Sequence, residues 1–246
     1  MDIKVIASGS QANCYLVSDG TTTIMLECGY NWDNMLKNVF DCQIRGVVRG
    51  LLISHEHLDH ARYWKHALKI GIDIYSSQGT FDALGAKDNH HLHIVKHNKQ
   101  FQIGSFSIMP FSTEHDCAEP LGFLIYSSQT KEKLLFATDT YYIHWQFKDL
   151  NYIMIECNYQ TEFLDENVEN GSLHKALVPR LTESHMSLDT CLDFICNQDL
   201  SSVKQICLLH LSDGNSNAQE CKDAIMAETG IPTIVAKGGV NFGVQH

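Results

Sequence analysis

His55-Glu56-His57-Leu58-Asp59-His60 places three imidazoles and a carboxylate within six residues, directly after the apolar run Val47-Val48-Arg49-Gly50-Leu51-Leu52-Ile53. A run of that composition reads as a buried strand, and the histidine-rich segment is then the loop at its end. Such a loop aims His55 and His57 at one point and Asp59 and His60 at a neighbouring one, the arrangement that two adjacent cations require. A short histidine tract by itself can be a solvated loop with incidental metal affinity. Its place at a strand end is the context that separates a site from such a tract.

The same pattern recurs downstream. His115 stands just past a strand ending at Phe111, Asp139 follows Leu134-Leu135-Phe136-Ala137-Thr138, and His210 follows Ile206-Cys207-Leu208-Leu209. Each is a ligand-type side chain one to four residues beyond an apolar strand. Strand ends on one edge of a sheet converge on one cleft.

The remaining periodicity predicts strands at Ile3–Ala7, Cys14–Ser18, Thr23–Glu27, Val47–Ile53, Asp73–Ser76, Phe106–Phe111, Gly122–Ser127, Lys133–Ala137, Tyr152–Glu156, Gln205–Leu209 and Thr233–Val235. Helices are expected at Trp32–Phe40, Ala61–Ile70, Leu173–Leu181, Leu188–Asn197 behind a Ser187 N-cap, and Ala218–Thr229 before Gly230-Ile231-Pro232. Strands interleaved with amphipathic helices pack as two sheets covered by helices on their outer faces. No linker or low-complexity tract interrupts residues 1–246, which read as a single α/β domain with the 44% apolar content of a globular chain.

Charge narrows the function. Eighteen basic against 29 acidic side chains give a net charge of −11, without the Lys and Arg stripe by which proteins track long nucleic acids through counterion release. A small anionic substrate suits this balance better, and bound cations would make a pocket locally positive. The nine cysteines form no C-x-x-C pair. Several, Cys14, Cys28, Cys157 and Cys207, lie in or beside apolar runs and read as core thiols of a reducing compartment. The first residues lack the pattern of a signal peptide and no window is apolar enough to span a membrane, so a cytoplasmic location is expected.

His55-x-His57-x-Asp59-His60, followed in order by His115, Asp139 and His210, resembles the metallo-β-lactamase superfamily over essentially the whole chain. The resemblance implies a four-layer αβ/βα sandwich with two divalent metal ions in a cleft along the sheet edges. One metal would take His55, His57 and His115, the other Asp59, His60 and His210, with Asp139 bridging. Imidazoles with carboxylates favour zinc, with manganese or iron as alternatives. Two cations roughly 3.5–4 Å apart can share a bridging hydroxide for in-line attack on phosphorus, which gives Asp59 a catalytic as well as a ligand role. Many members carry Asp where Leu26-Glu27-Cys28-Gly29 has Glu; the longer carboxylate would orient a ligand histidine. His185, in Glu183-Ser184-His185-Met186-Ser187, resembles the proton-donating histidine of transfer-RNA 3′-processing members. Asp116 would orient His115 or His185.

Gly9-Ser10-Gln11-Ala12-Asn13-Cys14 and His115-Asp116-Cys117-Ala118-Glu119-Pro120 are similar to a narrower branch that holds bacterial double-strand DNA exonucleases and phage anti-Pycsar phosphodiesterases. Phe136-Ala137-Thr138-Asp139-Thr140-Tyr141-Tyr142 and Leu209-His210-Leu211-Ser212-Asp213-Gly214-Asn215-Ser216 resemble the phage group more. That implies hydrolysis of cyclic mononucleotides, a homodimer whose partner helps cover the site, and a host cytoplasm if the gene is a phage's; a DNA exonuclease is the alternative. Tyr141, Tyr142 and Trp145 are candidates for stacking on the base. The polar stretch Asn158 to Gly171 reads as a lid or a solvated loop. His90, His91, His93 and His97 read as an exposed connection with no carboxylate but Asp88 nearby, and His144, His174 and His246 as surface residues.

Overall fold

The computed structural model describes residues 1–41 and 48–243, so Val47 and His246 lie outside the described residues. The chain divides into two compact units. The first comprises Met1–Ser112, Cys117–Lys133 and the stretch from Ala236; the second comprises Thr113–Asp116 and Leu134–Val235.

In the first unit, β2 (Cys14–Ser18) runs antiparallel to both β1 (Asp2–Ala7) and β3 (Thr23–Leu26). After helix α1 (Trp32–Asp41), β4 (Val48–Leu52) returns parallel to β3. Helices α2 (Leu58–Ala61) and α3 (Trp64–Lys69) lead to β5 (Ile74–Ser76), and α4 (Gln78–Ala83) leads to β6 (Leu92–Ile94). β7 (Phe101–Ile103), β8 (Phe106–Ser112) and β9 (Leu121–Ser127) form an antiparallel set. Val48, Gly50, Leu51 and Leu52 are buried with Arg49 alone exposed, which is why β4 reads as one apolar run in the parallel part of a covered sheet. At Gly50 an added Cβ would come within 2.9 Å of Ile103 Cδ1, so β4 packs face to face on β7. Asp19 ties the β2–β3 turn to the same face, accepting from Ser105 Oγ at 2.6 Å and Ser127 Oγ at 2.7 Å.

The second unit holds β10 (Lys133–Ala137, its first residue belonging to the first unit) and β11 (Tyr152–Glu156). Helices α5 (Thr161–Glu169), α6 (Val178–Ser184) and α7 (Leu188–Cys196) come before β12 (Gln205–Leu209). The unit ends with α8 (Ala218–Thr229) and β13 (Thr233–Val235). β10 to β13 pair in parallel in that order. The two-residue β14 (Asn241–Phe242) pairs with β1 and closes one edge of the first sheet, whose order is β14-β1-β2-β3-β4-β5-β6.

Most expected elements are present, including the Ser187 N-cap, which accepts from Thr190 N, and the stop of α8 at left-handed Gly230. Three differ. Asn158 to Gly171 is not a plain loop: Asn158, Tyr159 and Gln160 are buried and Thr161–Glu169 winds into α5, anchored by buried Leu164. The helix expected over Leu173–Leu181 is instead a 3₁₀ turn at Lys175–Leu177 continued by α6, shifted because Pro179 suits only a first helical turn. β6 is an edge strand; just before β5, Asp73 bonds Nδ1 of His91, the residue before β6, at 2.7 Å and lies 3.2 Å from His93 Nε2, while His93 stacks on Tyr75. A carboxylate remote in sequence thus engages two of the histidines expected to be a plain connection. His144 and His174 are exposed as expected. Cys14, Cys28, Cys157 and Cys207 are buried in the core, and no described helix is long and apolar enough to cross a membrane.

Candidate metal centre

In the first unit the parallel pairing of β3 and β4, and the antiparallel pairing of β2 with β3, bring three chain positions to one sheet edge: Asn13 before β2, Glu27 after β3, and Ser54-His55 after β4. The His55–His60 loop is clamped there by main-chain bonds. Asn13 N donates to Asp59 O at 2.7 Å, Cys28 N to His60 O at 2.7 Å, and Gly29 N to Asn13 O at 3.0 Å. A Cβ on Gly29 would sit 1.6 Å from Asp59 O, so only glycine permits this approach.

The four predicted ligands of this unit are gathered. The His55 ring centroid is 4.6 Å from that of His57 and 4.3 Å from that of His60, and His60 Nε2 is 3.1 Å from Asp59 Oδ2. His55 Nδ1 lies 2.8 Å from Ser54 Oγ, and His60 Nδ1 3.6 Å from Glu27 Oε2. Glu27, wholly buried, accepts from Ser54 N at 3.1 Å. Burial pushes its carboxyl above the usual range, and His60 and Ser54 only partly counter that. Asn13 was not foreseen as part of the site. Its fully buried amide donates to Asp59 Oδ2 at 3.3 Å and stands 3.0 Å from His60 Nε2, while its oxygen accepts from Gly9 N at 3.0 Å.

The second unit repeats the logic at the ends of β10, β11 and β12, which deliver Asp139, Glu156 and His210. Asp139 and His210 adopt left-handed φ of 45° and 53°, as Glu27 does at 60° in the first unit. Side chains other than glycine seldom hold that conformation, and it collects at functional sites. Asp139 Oδ2 is 3.7 Å from His115 Nε2 and 3.8 Å from His210 Nε2. His115 Nδ1 lies 2.7 Å from the carbonyl of Ser184, which fixes the ring with Nε2 facing Asp139. His210 Nδ1 is 3.1 Å from Asn158 Nδ2 and 3.4 Å from Glu156 Oε1.

His185 joins this set: Asp139, Glu156, His185 and His210 each offer a ligand atom within 4.8 Å of the others. Its Nδ1 lies 2.7 Å from Glu156 Oε1, and its ring stacks on that of His210 at 5.3 Å. Burial would lower the imidazole's pKa, but the adjoining Glu156 charge and hydrogen bond raise it above the usual value. His115 moves the other way, lowered by burial in spite of Asp139. Glu156, also unforeseen, is fully buried and accepts from Thr140 N at 2.7 Å and Met186 N at 3.2 Å. Its place at the end of the apolar run Tyr152–Ile155 was the available signal, since Asp139 and His210 follow strands in the same way. Asp116 does not take the orienting place at His115 Nδ1, which the Ser184 carbonyl occupies. It lies instead 3.4 Å from His115 Nε2 and accepts from Arg180.

The donor chemistry fits divalent cations. Metal–ligand bonds of about 2.0–2.1 Å at tetrahedral angles hold neighbouring ligand atoms roughly 3.4 Å apart. The Asp139 separations of 3.7 and 3.8 Å are too long for hydrogen bonds but near that spacing. Imidazoles fixed through one ring nitrogen, with the other directed at a carboxylate, are the arrangement in which histidine ligates.

Residues 23–210 match the family model of the β-lactamase superfamily domain, well over half of the chain. The chain is 24% identical to the exodeoxyribonuclease YycJ of Bacillus anthracis over 238 residues, covering 88% of this chain and 84% of that one. Zn²⁺-bound PqqB from Methylobacterium extorquens superposes with a TM-score of 0.71 at 13% identity, over 99% of this chain and all of that one. Unliganded yeast PDE1 does so with 0.69 at 10% identity, over 99% of each. The likeness to these structures establishes the fold, two mixed β sheets flanked by helices, and with the family match it shows that this chain belongs to the metallo-β-lactamase superfamily of hydrolases.

Proposed function

We propose that the chain is a metal-dependent phosphodiesterase that opens the ring of cyclic mononucleotides. In this reading His55, His57 and His115 hold one divalent cation, Asp59, His60 and His210 a second, and Asp139 lies between them. Zinc is favoured by the imidazole-rich donor set and by the zinc bound in the PqqB relative. Bound there, such ions supply Lewis acidity toward a phosphoryl group and a nucleophile at neutral pH.

The remaining work falls to side chains. Ser184, Asn158 and Glu27 hold ligand histidines in orientation. His185, with Nδ1 engaged by Glu156, keeps its second ring nitrogen for delivering a proton to the departing ester oxygen. The Glu156 charge keeps the imidazole protonated to higher pH than a free one.

The observation that carries the substrate class is the pair Tyr141 and Tyr142, 40% and 45% exposed two and three residues beyond Asp139. Thr140 Oγ1 donates to Tyr142 O at 2.7 Å, and Tyr141 N to Glu114 O at 3.1 Å, so the backbone under both rings is held. Exposed aromatic rings of this kind stack on nucleobases. A net charge of −11 suits a small nucleotide better than a duplex.

The likeness to an exodeoxyribonuclease supports a second reading, cleavage of linear DNA. Incubating the zinc- or manganese-loaded protein with 3′,5′-cyclic mononucleotides, linear duplex DNA, a 3′-extended transfer RNA and a thioester separates the two. The proposal expects turnover of the cyclic nucleotides; consumption of DNA alone, with steep salt dependence, would replace it by the nuclease.

A further inference from the structure

Helix α6 brings three groups to the centre in the second unit. The Ser184 carbonyl holds His115, His185 follows at the helix end, and Arg180 lies one turn before Ser184 on the same face. Arg180 Nε donates to Asp116 Oδ2 at 3.0 Å, while Asp116 Oδ1 is 3.4 Å from His115 Nε2. A single carboxylate thus spans a ligand histidine and a guanidinium.

Packing does not account for that placement. The Arg180 side chain is 73% exposed, and exposed pairs of this kind contribute little to stability. Bonding through Nε leaves the Nη pair at the solvent, on the edge that forks onto phosphate oxygens. Arg180 is also the only arginine of the second unit, in a chain with 29 acidic residues.

We propose that Arg180 is a substrate-binding residue whose Nη pair grips a non-bridging phosphate oxygen, with Asp116 setting its direction. This rests on the phosphodiesterase reading of the same centre.

Calorimetric binding of inorganic phosphate to the zinc-loaded protein tests it without turnover. For Arg180→Ala the dissociation constant should rise about tenfold, the worth of a charge-assisted pair. Arg180→Lys, which keeps the charge without the fork, should fall between Ala and wild type. Zinc content and thermal midpoint should stay at wild-type values in both. An unchanged constant in Arg180→Ala, a wild type that does not bind phosphate, or a loss of zinc with the variant would each overturn the assignment. Arg180-dependent phosphate binding by a protein that leaves cyclic nucleotides intact would sink the substrate reading and leave Arg180 standing.

Discussion

Glu27 stands beside the metal-type side chains of the first unit and Glu156 beside those of the second, and they share nearly everything but the direction in which their carboxyls are shifted. Each stands at or just past the end of a parallel-paired strand, is fully buried, accepts main-chain N–H groups and faces a ligand imidazole. Burial is the largest influence on both and acts upward on both. In Glu27 it prevails and raises the carboxyl, since one imidazole at 3.6 Å and the Ser54 N–H answer it only in part. In Glu156 the charge and hydrogen bond of His185, with the His210 bond, overcome it and hold the carboxyl below the usual range. The same residue type at the same depth therefore does two jobs, set by what faces it. Glu156 is an anionic anchor for two imidazoles; Glu27 is a buried hydrogen-bonding group for one.

That contrast breaks most decisively at the residue beside Glu156. Asp139 is the carboxylate common to His115 and His210. Its replacement, Asp139→Ala, should abolish metal binding and activity together, read by metal analysis beside an activity assay. Turnover with a full metal complement would refute its bridging place.

His185→Ala should behave otherwise, slowing turnover by roughly 10²–10⁴-fold while metal content holds, the span of a general acid. A loss of metal in that variant would make His185 a ligand, as its membership of the Asp139–Glu156–His210 group allows.

Glu156→Gln keeps the shape and removes the charge, and should slow turnover by about 10–10²-fold, less than loss of the acid itself. If Glu156 acts only through His185, the double variant with His185→Ala should be no slower than His185→Ala alone, because groups working as one unit are not additive. A further loss, accompanied by weaker metal binding, would assign part of its effect to His210.

How much of this was legible follows from where each signal lies along the chain. β4 and the His55–His60 loop were readable because a buried parallel strand needs an unbroken apolar run and the ligands follow at once. His115, Asp139 and His210 obeyed the same rule. Glu156 also obeyed it but reads as the last letter of a strand, and its role emerges only when β10, β11 and β12 lie side by side. Asn13 offers no chelating chemistry of its own, so although it lies in the Gly9–Cys14 stretch that carries the narrower resemblance, its part in the site shows only where its amide meets Asp59 and His60. β6 and β7 were not expected as strands: most of their side chains are half-buried or exposed, so they lack the buried alternation that marks the equally short β5. The Asp73–His91 pair joins residues 18 apart, one just before β5 and one just before β6, beyond what local spacing can register.

The smallest effect sharpens the comparison furthest. Glu27 reaches the centre through His60 and through the N–H of Ser54, whose hydroxyl stands at His55 Nδ1, so Glu27→Gln should weaken metal affinity by about 10–100-fold, the usual cost of losing an outer partner of a ligand. Turnover at saturating zinc should stay near wild type, since the Glu156–His185 pair that delivers the proton in the proposed reaction is left intact. Excess zinc should therefore rescue Glu27→Gln and leave Glu156→Gln slow. If zinc rescues both, Glu156 is an orienting group like Glu27 and the anionic role argued for it fails. If it rescues neither, the raised carboxyl of Glu27 takes part in proton movement, and the two glutamates are equivalent after all.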